Sequence, residues 1–101
     1  MKLEYTPDSI ADIQDLKEYI ARDLKNKKAA KRIGNMIVKN CKLLKDQPML
    51  GMSVADRLKE PSDLRYLICE SWFIFYRITD NAVQNARVID GRTDYISVLF
   101  R

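Results

Sequence analysis

Four of the arginines in the second half of the chain, Arg65, Arg77, Arg87 and Arg92, fall on or beside its β-like runs, together with the tyrosines Tyr66, Tyr76 and Tyr95. Arginines interleaved with aromatic rings can hold phosphate through paired N–H donors and stack on nucleic-acid bases. The same residues have a plainer use, in which strand arginines lie flat over apolar surface or pair with Asp90 and Asp94. Both readings stand for Arg77 and Arg87. Arg65 is less ordinary, because it opens an apolar strand and needs a partner if it is buried. Trp72, Phe73, Phe75 and Tyr76 read mostly as core.

The remaining chemistry is sparse. There is no histidine in the 101 residues, which removes the usual general acid–base group and the commonest metal ligand. No cysteine pair has metal-binding spacing, no Gly-rich phosphate loop is present, and no serine sits in a nucleophile elbow. Glu60 and Asp63 read as solvated loop residues rather than paired catalytic carboxylates. Conventional metabolic chemistry is therefore not expected, nor is a metal or cofactor.

The elements that must position these arginines and tyrosines follow from periodicity. Lys2-Leu3-Glu4-Tyr5 alternates like a short strand. Thr6, Pro7 and Asp8 then form a helix start: a cap, a first-turn proline and an acid at the positive end of the dipole. Ile10, Ile13, Leu16 or Lys17, Ile20 and Leu24 recur at helical spacing, predicting a helix over residues 7–24. A second helix over 28–46 carries Ala30, Ile33, Ile37, Cys41 and Leu44 on one face, and the two form an antiparallel hairpin. Pro48 and Gly51 end the helical part, and a polar loop containing Pro61 follows.

Three strands are predicted next, at 64–69, 72–79 and 82–90, linked by two-residue turns at Glu70-Ser71 and Asp80-Asn81. That register sets Arg65 opposite Tyr76 and Tyr76 opposite Asn85. One sheet face then carries Arg65, Leu67, Cys69, Trp72, Ile74, Tyr76, Val83, Arg87 and Ile89. The other carries Leu64, Tyr66, Ile68, Phe73, Phe75, Arg77, Ala86 and Val88. Both are apolar, yet the hairpin can cover only one. The C-terminal tail, a second copy or another protein must cover the rest. Thr93 or Asp94 can cap a last helical turn with Ile96, Leu99 and Phe100 on one side, too short to stand alone.

The fold class is thus α+β: an N-terminal strand and a two-helix hairpin on a mainly antiparallel sheet, with a short C-terminal helical tail. Residues 1–101 make one domain by size. The sequence begins without a signal-peptide pattern, and its longest apolar run, Trp72 to Tyr76, is too short to span a bilayer. Cys41 and Cys69 read as free buried thiols, so a cytoplasmic location is expected. Net charge is +4, and Lys25 to Lys45 holds eight basic residues and no acid. Such a run is a solvated face or an electrostatic footprint for nucleic acid or an acidic protein.

The order of these pieces resembles the RelE/ParE toxin superfamily over nearly the whole chain. The residues that carry the resemblance are Leu64-Arg65-x-Leu67, the aromatic strand ending Tyr76-Arg77-Ile78, and the turn Val88-x-x-Gly91-Arg92-x-Asp94. The resemblance implies the toxin of a type II toxin–antitoxin module, with growth inhibition, plasmid stabilisation and neutralisation by a cognate antitoxin that wraps the apolar sheet and the basic helix.

That superfamily holds a branch that cuts ribosome-bound messenger RNA and a ParE-like branch associated with poisoning DNA gyrase. Ribonuclease members often carry an arginine three residues before the tyrosine matching Tyr76, and here that residue is Phe73. Their strand lysines are missing apart from Arg65. Arg92 matches their late basic residue only loosely, and Tyr95 comes early for their late tyrosine. Metal-free cleavage needs a group to deprotonate the 2′-hydroxyl and another to stabilise the phosphorane, and phenylalanine supplies neither. The resemblance therefore points to DNA gyrase as partner and assigns no catalytic residue. The alternative partners are the ribosome and messenger RNA, with a site of Arg65, Arg87, Arg92 and Tyr95. A third reading is a member that is no longer toxic. Residues expected to touch target or antitoxin are Arg65, Phe73, Phe75, Arg77, Arg92, Asp94 and Tyr95. A homodimer is a further expectation, and a membrane partner is not.

Overall fold

The structure, a computed structural model, describes residues 1–100. Strand β1 (Lys2–Tyr5) leads through Thr6 into helix α1 (Pro7–Glu18). The Thr6 hydroxyl accepts from the Ser9 N–H at 3.1 Å and donates to the Ala86 carbonyl at 2.8 Å, so one cap both starts the helix and fastens it to the sheet. Helix α2 (Lys27–Asp46) returns alongside, capped by Asn26, whose side-chain Oδ1 accepts from Ala29 N–H at 2.9 Å. Strand β2 (Met52–Ser53) and helix α3 (Val54–Leu58) follow, then β3 (Arg65–Cys69), β4 (Trp72–Ile78), β5 (Ala82–Asp90) and α4 (Tyr95–Leu99). The strand order is β1-β5-β4-β3-β2; β1 runs parallel to β5 and the other neighbours are antiparallel. Among the described residues no helix is long and apolar enough to cross a membrane.

The α+β expectation holds, and both predicted pairings are present: Arg65 opposite Tyr76 and Tyr76 opposite Asn85. Three details differ. The first helix ends in a π-helical turn at Tyr19–Asp23, where the Leu24 N–H reaches back five residues to Tyr19. The widened turn swings Leu24 out of the predicted apolar stripe, and Leu24 is exposed, as is Ile10 in the first turn. The stretch expected to be a polar loop contains β2 and α3. Ser53 caps α3 by accepting from Asp56 N–H at 3.3 Å, and Lys59, with φ 58°, ends it.

The third difference lies in β5. The register shifts between Phe75 and Tyr76, which face Arg87 and Asn85, so Ala86 is an extra bulged residue. Every residue after the bulge changes side. Val88 joins the helical side, while Arg87 and Ile89 join the other, the reverse of the strict alternation.

Two cores result. The hairpin packs Leu16, Ile20, Ile33, Ile37, Cys41 and Leu44 against Ile74, Tyr76, Val83 and Val88. The second face carries Leu64, Tyr66, Phe73, Phe75, Ala86 and Ile89. It is covered by the chain itself, through Val54 and Leu58 of α3 and Tyr95, Val98 and Leu99 of α4. The tail docks through Tyr95, Val98 and Leu99; Ile96 and Phe100, expected on the docking side, are exposed.

Candidate functional site

The second sheet face gathers four aromatic rings. Tyr66 stacks on Phe73 with centroids 5.7 Å apart, and Tyr95 sits 5.2 Å from Phe73 and 5.8 Å from Phe75. These separations suit offset and tilted aromatic pairs. Gly91 allows the packing, since a Cβ there would collide with the Phe73 ring. Arg57 closes the cluster from α3. Its guanidinium lies 5.3 Å above the Tyr66 ring and 5.5 Å above Phe73. It also donates to the Tyr66 hydroxyl at 3.1 Å and the Tyr95 hydroxyl at 3.2 Å. The bond to Tyr66, then that to Tyr95, raises the Arg57 pKa.

Arg57 also lines an open groove of about 580 Å³ together with Arg65, Asp56, Met49 and Met52. The predicted demand of Arg65 for a partner is met by main chain rather than by an acid. Its Nη2 donates to the carbonyls of Gly51 and Met49, and its Nε is buried without a partner. The loop carrying those carbonyls is fixed by Tyr76, whose hydroxyl donates to the Pro48 carbonyl at 2.7 Å and accepts from Gly51 N–H at 2.9 Å. Glycine is required at 51, because a Cβ would come within 2.6 Å of the Tyr66 carbonyl and the Tyr76 hydroxyl.

Arg77, Arg87 and Arg92 are each committed to a carboxylate. Arg77 pairs with Asp63 at 3.1 Å. Arg87 holds both oxygens of Asp12 at 2.8 and 2.9 Å, and Asp12 also accepts from Val88 N–H at 2.9 Å. Arg92 grips Asp90 at 3.0 and 2.8 Å, and this partner holds the Asp90 carboxyl below its usual range. The Arg92 side chain remains 73% exposed, beside a cleft of about 200 Å³ that includes Tyr19, Leu24 and Trp72. Asp94 caps α4, accepting from the Ser97 N–H at 3.3 Å and the Ser97 hydroxyl at 2.6 Å. These bonds, the hydroxyl's first, lower the Asp94 pKa.

Of the residues singled out in the sequence, the fold brings together Phe73, Phe75 and Tyr95. Arg65 lies at the groove, Arg77 and Arg87 near the α4 end of the sheet, and Arg92 at the far turn. Sequence reasoning missed Arg57, which ties the aromatic cluster together. The Ser53-x-x-Asp56 spacing was the signal for the helix that carries it. Both thiols are buried. Burial pushes Cys41 up to about 11, so it is protonated at neutral pH.

Both the sequence and the fold have counterparts among known proteins. The sequence model of the ParE toxin of the type II toxin–antitoxin system parDE matches residues 3–95. Among solved structures, one titled "Chromosomal ParDE TA system from P. aeruginosa" superposes with a TM-score of 0.75 at 21% identity, covering 89% of this chain and 95% of that one. Another, the crystal structure of a YafQ mutant from E. coli, gives a TM-score of 0.48 at 18% identity, covering 99% and 98%. No curated protein matches the sequence. With the family model spanning nearly the whole chain, this protein belongs to the ParE toxin family of type II toxin–antitoxin systems.

Proposed function

We propose that this toxin arrests growth by binding DNA gyrase, without itself being an enzyme. The observation that carries the reading is the packed state of the second sheet face. Phe73 and Phe75 are buried there under Tyr95, where an RNA-cutting toxin would need an open array of charged groups. Membership of the ParE family supports a contact poison with a cognate antitoxin as its partner. Acting on gyrase would place the protein in the cytoplasm, and pairing with an antitoxin would suit it to plasmid stabilisation. Arg65, Arg92 and the exposed rim of the aromatic cluster are the proposed contacts.

The test is supercoiling of relaxed plasmid by purified gyrase with the toxin added, and again with toxin plus antitoxin. Inhibition that the antitoxin relieves is the expected result. Unimpaired supercoiling at toxin in excess over gyrase would end the reading. One observation favours the ribonuclease alternative: Arg57 bridges two phenols and makes no ion pair among the described residues. Specific cuts at the ribosomal A site in a translation extract, abolished by Tyr95→Phe, would establish that activity instead.

A further inference from the structure

Helix α2 carries a charge pattern that neither core uses. Its buried residues Ala30, Ile33, Ile37, Cys41 and Leu44 face the sheet. At 100° per residue, Lys28, Lys31, Asn35, Lys39 and Lys42 fall on the opposite side within an arc of about 80°. All five are exposed. Like charges three and four residues apart weaken a helix, so the arrangement works against local stability. Acids are available one helix away, since α1 carries exposed Asp8, Asp15 and Glu18. The fold does not use them, and among the described residues the one ion pair made by α2 is Arg32 with Glu70.

From this segregation we infer that the outer face of α2 binds the phosphate backbone of double-stranded DNA. An acidic protein partner fits less well. Protein interfaces are anchored by buried apolar or aromatic residues, and the only exposed large apolar residue of α2 is Leu43, to one side of the stripe. Counterion release at phosphates needs no such anchor. A single strand fits less well too, because unpaired bases are held by stacking on aromatic rings, and α2 has no aromatic residue. A straight helix suits a stiff duplex. Lys28 to Lys42 spans about 21 Å, the rise of roughly six base pairs. The choice of DNA rather than RNA duplex rests on the gyrase reading, since that target acts on duplex DNA.

Fluorescence anisotropy with a labelled DNA duplex of about 20 base pairs, at several salt concentrations and without gyrase, tests the surface. With four phosphates neutralised, Kd is expected to rise about 100-fold between about 50 and 200 mM salt. The quadruple replacement Lys28→Gln, Lys31→Gln, Lys39→Gln and Lys42→Gln should flatten the log–log slope by about three to four while the helical circular dichroism is retained. No duplex binding by the native protein at low salt would overturn the inference, as would an unchanged slope in the folded variant. Equal competition by polyglutamate, by oligo-dT or by duplex RNA would overturn it in favour of an acidic protein, a single strand or RNA. With gyrase absent, failure here leaves the target reading untouched, and unimpaired supercoiling would leave a measured DNA affinity standing.

Discussion

At the residue scale, Phe73 and Arg92 separate what holds the fold from what the fold presents. Phe73 is buried among Tyr66, Phe75 and Tyr95 and lies under Gly91. Phe73→Ala should cost about 3–5 kcal/mol in urea unfolding, with toxicity lost only as the protein unfolds. Arg92 is exposed and held in place by Asp90. Arg92→Ala should leave the urea midpoint essentially unchanged, lower toxicity, and leave antitoxin binding intact in a pull-down. The Asp90 pair also has a pH signature. Its folded carboxyl pKa is depressed, chiefly by Arg92. The stabilisation is therefore present above the ordinary carboxylate range and disappears as pH falls through the depressed value. Carboxyl carbon shifts should show Asp90 titrating below an unpaired aspartate, and Arg92→Ala should move it back up. Tyr76→Phe would strand the buried Gly51 N–H and the Pro48 carbonyl at a cost of about 1–3 kcal/mol, read as a lower urea midpoint.

At the element scale, α4 is five residues long and cannot persist in isolation. It survives because Tyr95, Val98 and Leu99 dock on the second core. Each is half-buried, so a chain stopped after Asp94 should lose roughly 2–4 kcal/mol and bind the dye ANS on the uncovered Phe73 and Phe75; unchanged melting would mean that the tail does not cover this face. How legible each element was in the sequence follows from how local its cause is. The Thr6-Pro7 helix start and the β3–β4 register depend on neighbours a few residues apart, and both stood out. Strand β2 has two residues and α3 has five, too few for a period to show. The Ala86 bulge has no glycine to mark it, and strict alternation gave the wrong face for Arg87, Val88 and Ile89. Arg65 finds backbone carbonyls rather than an acid, and no pattern of side chains encodes such a partner. The Arg57 cluster depended on α3, so missing the helix hid the residue that organises the face.

At the scale of the whole molecule, the apolar face that the hairpin was expected to leave uncovered reduces to one apolar margin, because α3 and the C-terminal tail cover the rest. With α3 and α4 in place, the exposed large apolar residues near the groove are Met49, Leu50, Met52 and Ile68. Met52 lies opposite Tyr66, and Ile68 opposite Phe73, so both project from the second face near the edge of the sheet. Strand β2 pairs only with Arg65 and Tyr66, which leaves Leu67–Cys69 with no strand on their outer side among the described residues. An apolar margin beside an open edge invites another chain, either by strand addition or by self-association. Antitoxin and a second copy of the toxin would then compete for the same place. Because Met52 and Ile68 are 54% and 45% exposed, Met52→Asp and Ile68→Lys should each shift stability by no more than about 1 kcal/mol. Each should also weaken antitoxin binding at least about tenfold by calorimetry, equivalent to about 1.4 kcal/mol. In sedimentation, the unaltered toxin should associate as its concentration rises, and the two substituted proteins should stay monomeric. Full antitoxin affinity in both would put the partner elsewhere on the molecule.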